Sequence, residues 1–163
     1  MSNPFHTRSF GNRFADMGDR AEAAFTRVHP KAQHTGLLRP EFSMSRMDAR
    51  LRYAPDYTLP DGLYEVQGFS SRGDGCLKTK LEKTDALQAW RAIGDVHLWV
   101  YDSHRDVYWE AELPDWMEAF HAHATVERFA DNGRAYWKLH YTNFPGMPAD
   151  LPVELAQVVP IAA

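Results

Sequence analysis

Between Pro55 and Gln67 the chain reads PDYTLPDGLYEVQ, a tight turn that feeds directly into a strand. Pro60-Asp61-Gly62 forms turns for physical reasons: proline fixes φ, aspartate bonds its own backbone, and glycine accepts φ > 0. Leu63 to Phe69 is then predicted as a strand, bounded by Gly62 and by the Ser/Gly-rich run after Phe69. Alternation places Glu65 and Gln67 on one face of that strand and Tyr64 and Val66 on the other. The hairpin can bring Asp56 back beside Glu65, making a carboxylate pair suited to a hard divalent cation. An ionised carboxylate is costly to bury in an inner strand unless it is paired or metal-bound. On a solvated face Glu65 would need no such explanation.

Periodicity sets the elements on either side. From Asp16 to His29 the residues Met17, Ala21, Ala24, Phe25 and Val28 recur at helical spacing, and Pro30 ends the run. Lys31 to Pro40 reads as a connector. Phe42 to Tyr53 is expected to be a strand, with Met47, Ala49, Leu51 and Tyr53 on one side and Arg46, Asp48, Arg50 and Arg52 on the other. Ser70 to Gly75 is a flexible loop beside the carboxylates, placed to grip a substrate. Thr79 and Glu82 have capping-box spacing and open a helix whose expected buried face is Ala86, Ala89, Trp90 and Ile93. VHLWVY, from Val96 to Tyr101, is predicted as a central strand buried on both faces. A strand over Val107 to Leu113 and a short helix over Pro114 to Ala122 follow. Thr125 to Phe129 and Arg134 to Tyr141 then form a hairpin turning at Asp131-Asn132-Gly133. The chain is thus expected to be α/β, with a polar, poorly ordered arm over 1–15, one domain over 16–142, and a tail over 143–163 packed on it.

Pro55-Asp56, eight residues, then Glu65-Val66-Gln67 resembles the PD-(D/E)xK motif of the restriction-endonuclease-like nuclease superfamily. The pattern leans towards the Holliday-junction resolvase and phage endonuclease branches, and the likeness covers residues 16 to 111. The resemblance implies an αβββαβ core, with a central mixed sheet flanked by helices. It makes Asp56 and Glu65 ligands of Mg²⁺ or Mn²⁺, the Val66 carbonyl a third oxygen, and Glu22 on the first helix an outer or direct ligand. Glu22 also has a plain structural reading, as the partner of Asp19 at a helix start.

Gln67 stands where the family has lysine. A glutamine can orient the attacking water but cannot carry the cation's charge or usefully accept a proton. Lys78, Lys80 and Lys83 are candidates to replace that charge, Lys80 being the one assigned a catalytic role; a solvated helix start accounts for them equally. Arg46, Arg50, Arg72, Lys78 and Lys83 are the residues expected to meet DNA phosphates. The implied activity is metal-dependent hydrolysis of DNA phosphodiester bonds, on branched, nicked or single-stranded DNA, by a homodimer in phage or recombination metabolism. Loss of the lysine leaves open a second reading, a catalytically inactive protein of the same fold that binds DNA or a protein partner.

Composition narrows the classes further. The net charge of −4 is not the footprint of an indiscriminate duplex binder. Its distribution is uneven. Arg39, Arg46, Arg50 and Arg52 outnumber Glu41 and Asp48, whereas Arg105 alone opposes six acids between Asp102 and Glu118. The lone Cys76 excludes an internal disulfide or a cysteine-rich zinc site. The eight histidines show no metal-binding spacing; His121 and His123, two apart on a helix, point to different faces. No phosphate-cradling glycine loop or nucleophile elbow is present. No apolar run reaches membrane-spanning length and the start lacks an apolar leader, so a cytoplasmic protein of a bacterial or phage-infected cell, with no membrane association, is expected.

Overall fold

The structure is a computed structural model that describes residues 10–37 and 47–152. In chain order the elements are α1 (Phe10–Val28), β1 (Gln33–His34), α2 (Ala49–Arg52), β2 (Tyr57–Leu59), β3 (Gly62–Phe69) and β4 (Cys76–Lys80). They continue through α3 (Leu81–Trp90), β5 (Val96–Asp102), β6 (Val107–Glu112), α4 (Leu113–His123), β7 (Thr125–Arg128) and β8 (Ala135–His140). A 3₁₀ turn (Tyr141–Asn143) leads to β9 (Ala149–Asp150). Six strands form one mixed sheet in the order β1-β2-β3-β5-β6-β9, and β4-β8-β7 form a smaller one. β3 and β5 run parallel, with Glu65 opposite Leu98 and Gln67 opposite Val100, and the other pairings in both sheets are antiparallel.

The apolar run of β5 is central because it serves two cores at once. Val96, Leu98 and Val100 face a cluster built from Leu87 of α3 and Leu113, Trp116 and Phe120 of α4, with Leu77 and Leu139 of the small sheet. Trp99 and Tyr101 face the other way, towards α1. There Phe25 is wholly buried, with ring centroids 4.8 Å from Tyr57, 5.5 Å from Tyr64 and 5.4 Å from Trp99. Aromatic contacts of this kind add about 0.5–1.5 kcal/mol each beyond the area they bury. α1 lies so close to β3 that a Cβ on Gly68 would come within 2.6 Å of the Met17 carbonyl.

The hairpin at Asp61-Gly62, the buried strand β5, β6, α4 and the Gly133 hairpin all form where the sequence pattern places them, within a residue or two. Five expectations are corrected. The first helix begins at Phe10 rather than Asp16, so part of the expected arm is helical, while residues 1–9 lie outside the described ones. The strand expected up to Tyr53 is not formed over 49–52, which is helical; Phe42 to Arg46 lie outside the described residues. Alternation fitted a strand, but Ala49-Arg50-Leu51-Arg52 are all strong helix formers and Asp48 caps them, accepting the Arg50 N–H at 2.9 Å. Pro55 disfavours helix at Ala54 and ends the turn there.

The third correction concerns the capping box, which does not form. Lys80 is the N-cap without a side-chain bond, Thr79 belongs to β4, and β4 leaves the main sheet for the small one. Fourth, α3 buries Thr84, Ala86 and Leu87 rather than Ala89 and Ile93, the latter being 72% exposed. Trp90 lies outward enough for its Nε1 to donate to the Arg50 carbonyl at 2.8 Å, which clamps α2 onto α3. Finally, the tail contributes β9, an edge strand on β6, through residue 150; residues 153–163 lie outside the described ones. Among the described residues no helix is long and apolar enough to cross a membrane.

Candidate active site

The β2–β3 ladder stops at the pair Tyr57–Tyr64, so the β2-side edge of β3 has no strand partner at Val66. Asp56, one residue before β2, takes that place: its Oδ2 accepts the Val66 N–H at 2.9 Å. A strand residue directs its N–H and C=O to the same edge, so the Val66 carbonyl opens towards Asp56 as well. Asp56 is itself held by backbone. Its carbonyl accepts the N–H groups of Thr35 at 2.9 Å and Gly36 at 3.0 Å. Gly36 must be glycine for this approach, since a Cβ there would lie 2.9 Å from the Asp56 Cα.

Glu65 lies one residue earlier and points to the opposite face of β3, towards α3. Only 1% of it is exposed, and neither carboxylate oxygen makes a hydrogen bond of ordinary geometry. The ammonium of Lys83, from the first turn of α3, is set against its Oε1. Burial, then the charge of Asp56, pushes Glu65 up to about 8, against the opposing pull of Lys83 and Gln67. Burial works against the Lys83 ammonium too, but Glu65 and Asp56 outweigh it and hold Lys83 above its ordinary value. The two act as one coupled pair in which lysine keeps its proton and the carboxylate is the costly member to ionise.

Gln67 shares the face of Glu65, as alternation requires. Its Oε1 accepts from the Thr79 hydroxyl at 2.7 Å, which orients the amide and leaves the buried Nε2 on the side of Glu65 without a hydrogen bond of ordinary geometry. Glu22 comes from α1 on the other face, where its Oε2 lies 3.4 Å from the Tyr57 hydroxyl. Burial first, then Glu22 and Asp56, push that hydroxyl up to about 12, so Tyr57 stands between the two acids. Among the described residues no three His, Cys, Asp or Glu side chains form a ready-made metal cluster. The acids of the site are the pair Asp56 and Glu65, with Glu22 one tyrosine away.

The remaining candidates divide. Lys83, not Lys80, brings an ammonium to Glu65; Lys80 sits 5.8 Å from the centroid of the Tyr53 ring. Lys78 is paired with Asp74 at 2.9 Å on the outer side of β4. Arg50 is exposed and paired with Asp48 at 3.2 Å, and Arg46 lies outside the described residues. Arg72 is exposed on the loop that follows β3. That loop is less free than its composition suggests. The fully buried Asp102 accepts the Ser71 N–H at 3.0 Å and Arg105 Nε at 2.6 Å, anchoring its base. Tyr57, Thr79, Asp102 and Arg134 lie at the site or at its borders although the sequence reading assigned none of them there. Only Thr79 left a usable signal, since Leu77 and Thr79 alternate with Lys78 and Lys80 as an inward face of a strand. A shallow concavity of about 560 Å³ between β6 and α4, lined by Glu110, Asp115, Glu118 and His123, shares no residue with the site.

Comparison with protein-family models, with curated proteins and with solved structures finds no match to this chain.

Proposed function

We propose that the protein is a metal-dependent DNA endonuclease of the PD-(D/E)xK type, with Lys83 in place of the motif lysine. The observation that carries this reading is the Lys83 ammonium set against Glu65, beside Asp56. Gln67 cannot supply a charge, and a helix one crossover later supplies it at the same carboxylate. Element order supports the reading too: α1, the β2–β3 hairpin with its acids, then β4 and α3 before β5 returns parallel to β3. β4 departs from the αβββαβ pattern, since it pairs in the small sheet with β8 rather than in the main sheet with β3.

The donor set fits a hard divalent cation. Asp56 and Glu65 offer carboxylate oxygens and Val66 a carbonyl on the Asp56 edge, and Lys83 is the cation that a metal would displace from the buried Glu65. Mg²⁺ or Mn²⁺ bound there supplies Lewis acidity towards a phosphate oxygen and acidifies a water molecule. Glu65 must release its proton for such binding. Lys83, displaced from Glu65, would balance negative charge on the phosphate as the bond to the leaving oxygen lengthens. Gln67 Nε2 can donate to and orient the attacking water, with Thr79 fixing the amide. Hydrolysis in line would leave a 5′-phosphate and a 3′-hydroxyl.

The test is incubation with four-way-junction, single-stranded and linear duplex DNA, in Mg²⁺, Mn²⁺ or EDTA, alongside Asp56→Ala. Metal-dependent cutting by the wild type and its loss in the variant are expected. A folded wild-type protein that cuts none of the three would sink the enzyme and leave a binding protein of this fold.

A further inference from the structure

Four cations from four separate segments meet at the start of α3. Arg52 closes α2, Lys80 closes β4, Lys83 opens α3, and Arg134 stands one residue before β8. Lys83 is turned to Glu65, while the other three gather around Glu82 and the ring of Tyr53. Arg134 Nη1 donates to Glu82 Oε1 at 2.8 Å and lies 3.4 Å from the Tyr53 hydroxyl, which also donates to Glu82. Arg52 Nη1 is 3.9 Å from the same carboxylate oxygen. The Tyr53 ring makes the floor, 5.4 Å from the Arg52 guanidinium and 5.8 Å from the Lys80 ammonium.

Lys80 registers the crowding. Burial first, then Arg134, Lys83 and Arg52, hold it below the ordinary lysine value. Such a gathering of cations is a place where a further anion can be held beside Glu82. Arg134 is the member best placed to receive one. Its guanidinium is a third exposed and is steadied through Nη1, so the fork keeps further donors for oxygen atoms. The cluster also adjoins the carboxylate pair through the first turn of α3, where Glu82 directly precedes the Lys83 that is set against Glu65.

We propose that Arg134, with Lys80 and Arg52 over the Tyr53 ring, seats a backbone phosphate of the DNA strand next to the one handled at Asp56 and Glu65. The identity of the ligand as DNA rests on the nuclease reading above. The C-terminal hairpin then has a job that the motif alone does not give it: it lays one arginine beside the active site as a phosphate clamp. Backbone phosphates are bound through such charge-assisted contacts without sequence preference.

The experiment is fluorescence anisotropy of a labelled single-stranded oligonucleotide and a labelled four-way junction, in EDTA, so that nothing is cut. Arg134→Ala is expected to weaken binding about tenfold and to reduce the slope of log Kd against log salt by about 1. Arg134→Lys should restore the slope with only part of the affinity. Glu82→Gln, which removes the local anion, should tighten binding several-fold and gives an independent reading should Arg134→Ala fail to fold. Unchanged affinity and salt slope in folded Arg134→Ala would overturn the clamp, as would absence of DNA binding by the wild type at low salt. Failure of the nuclease reading shows elsewhere, as no cutting in Mg²⁺ or Mn²⁺, and leaves the anisotropy comparison intact.

Discussion

Lys83 and Glu65 face each other from α3 and β3, the carboxylate buried and the lysine side chain 23% exposed. Removing one member of such a pair costs about 3–5 kcal/mol, since the remaining charge is stranded. Lys83→Met should approach that range only above about pH 8, where Glu65 is ionised; below it Glu65 already holds its proton and no charge is stranded. The double variant Glu65→Gln/Lys83→Met should recover most of the loss in urea unfolding while remaining inactive towards DNA. A double variant no more stable than Lys83→Met would show that the two side chains are not coupled.

Glu65 also predicts a pH dependence of known sign. Its folded value of about 8 lies above the ordinary carboxylate value of 4.5, so the folded chain holds a proton that the unfolded chain has released between those limits. That stabilisation is complete below about pH 4.5 and is lost as pH rises through about 8. Wild-type stability in EDTA should therefore fall by a few kcal/mol between pH 5 and pH 9, at roughly 1.4 kcal/mol per unit of pKa difference. Glu65→Gln should flatten that fall, and urea titrations at unit pH intervals will read it. Cleavage should run the opposite way and rise through neutrality, because cation binding requires the ionised carboxylate.

How much of this was legible depends on whether the signal was local. The turn at Asp61-Gly62, the alternation that puts Glu65 with Gln67, and the run from Val96 to Tyr101 are properties of neighbouring residues, and all appear in the fold. Local signals misled where two states share a pattern. Met47 to Tyr53 alternates like a strand, but Asp48 spends its carboxylate on a helix cap. Thr79 has the spacing of a cap residue, yet its hydroxyl is committed to Gln67 across the sheets. Which lysine meets Glu65 could not be read from the chain at all. It depends on how α3 is rotated over β3, and that is set by Leu87 and Thr84 entering the core, not by any residue near the motif.

Asp56 does two things at once, and two substitutions separate them. Asn keeps an oxygen for the Val66 N–H but removes the charge; Ala removes both. Both variants should lose metal-dependent cutting. In thermal unfolding Asp56→Asn should stay close to wild type, while Asp56→Ala should lose about 1–3 kcal/mol, the cost of an orphaned buried donor. Equal losses of stability would mean that the hydrogen bond to Val66 contributes little and that Asp56 is held by Thr35 and Gly36 alone.

Gly68 tests how α1 is seated, and with it the placing of Glu22. A Cβ at Gly68 would stand 2.6 Å from the Met17 carbonyl and 3.3 Å from the Ala21 Cβ, and the first is backbone that no rotamer change can clear. Gly68→Ala must therefore lift the middle of α1 from β3, at the roughly 1–3 kcal/mol that overpacking costs. β5 is anchored independently by the cluster on its other face, so the damage should be local. Hydrogen exchange should accelerate over residues 17–25 and stay slow over Val96 to Asp102. Glu22 follows Ala21 directly, so a lifted α1 also draws its carboxylate from the Tyr57 hydroxyl. If Glu22 serves the metal site, Gly68→Ala and Glu22→Gln should both depress cutting while DNA binding in EDTA is unchanged. A fully active Gly68→Ala with demonstrably accelerated exchange in α1 would place Glu22 outside the chemistry and leave it a structural partner of Tyr57.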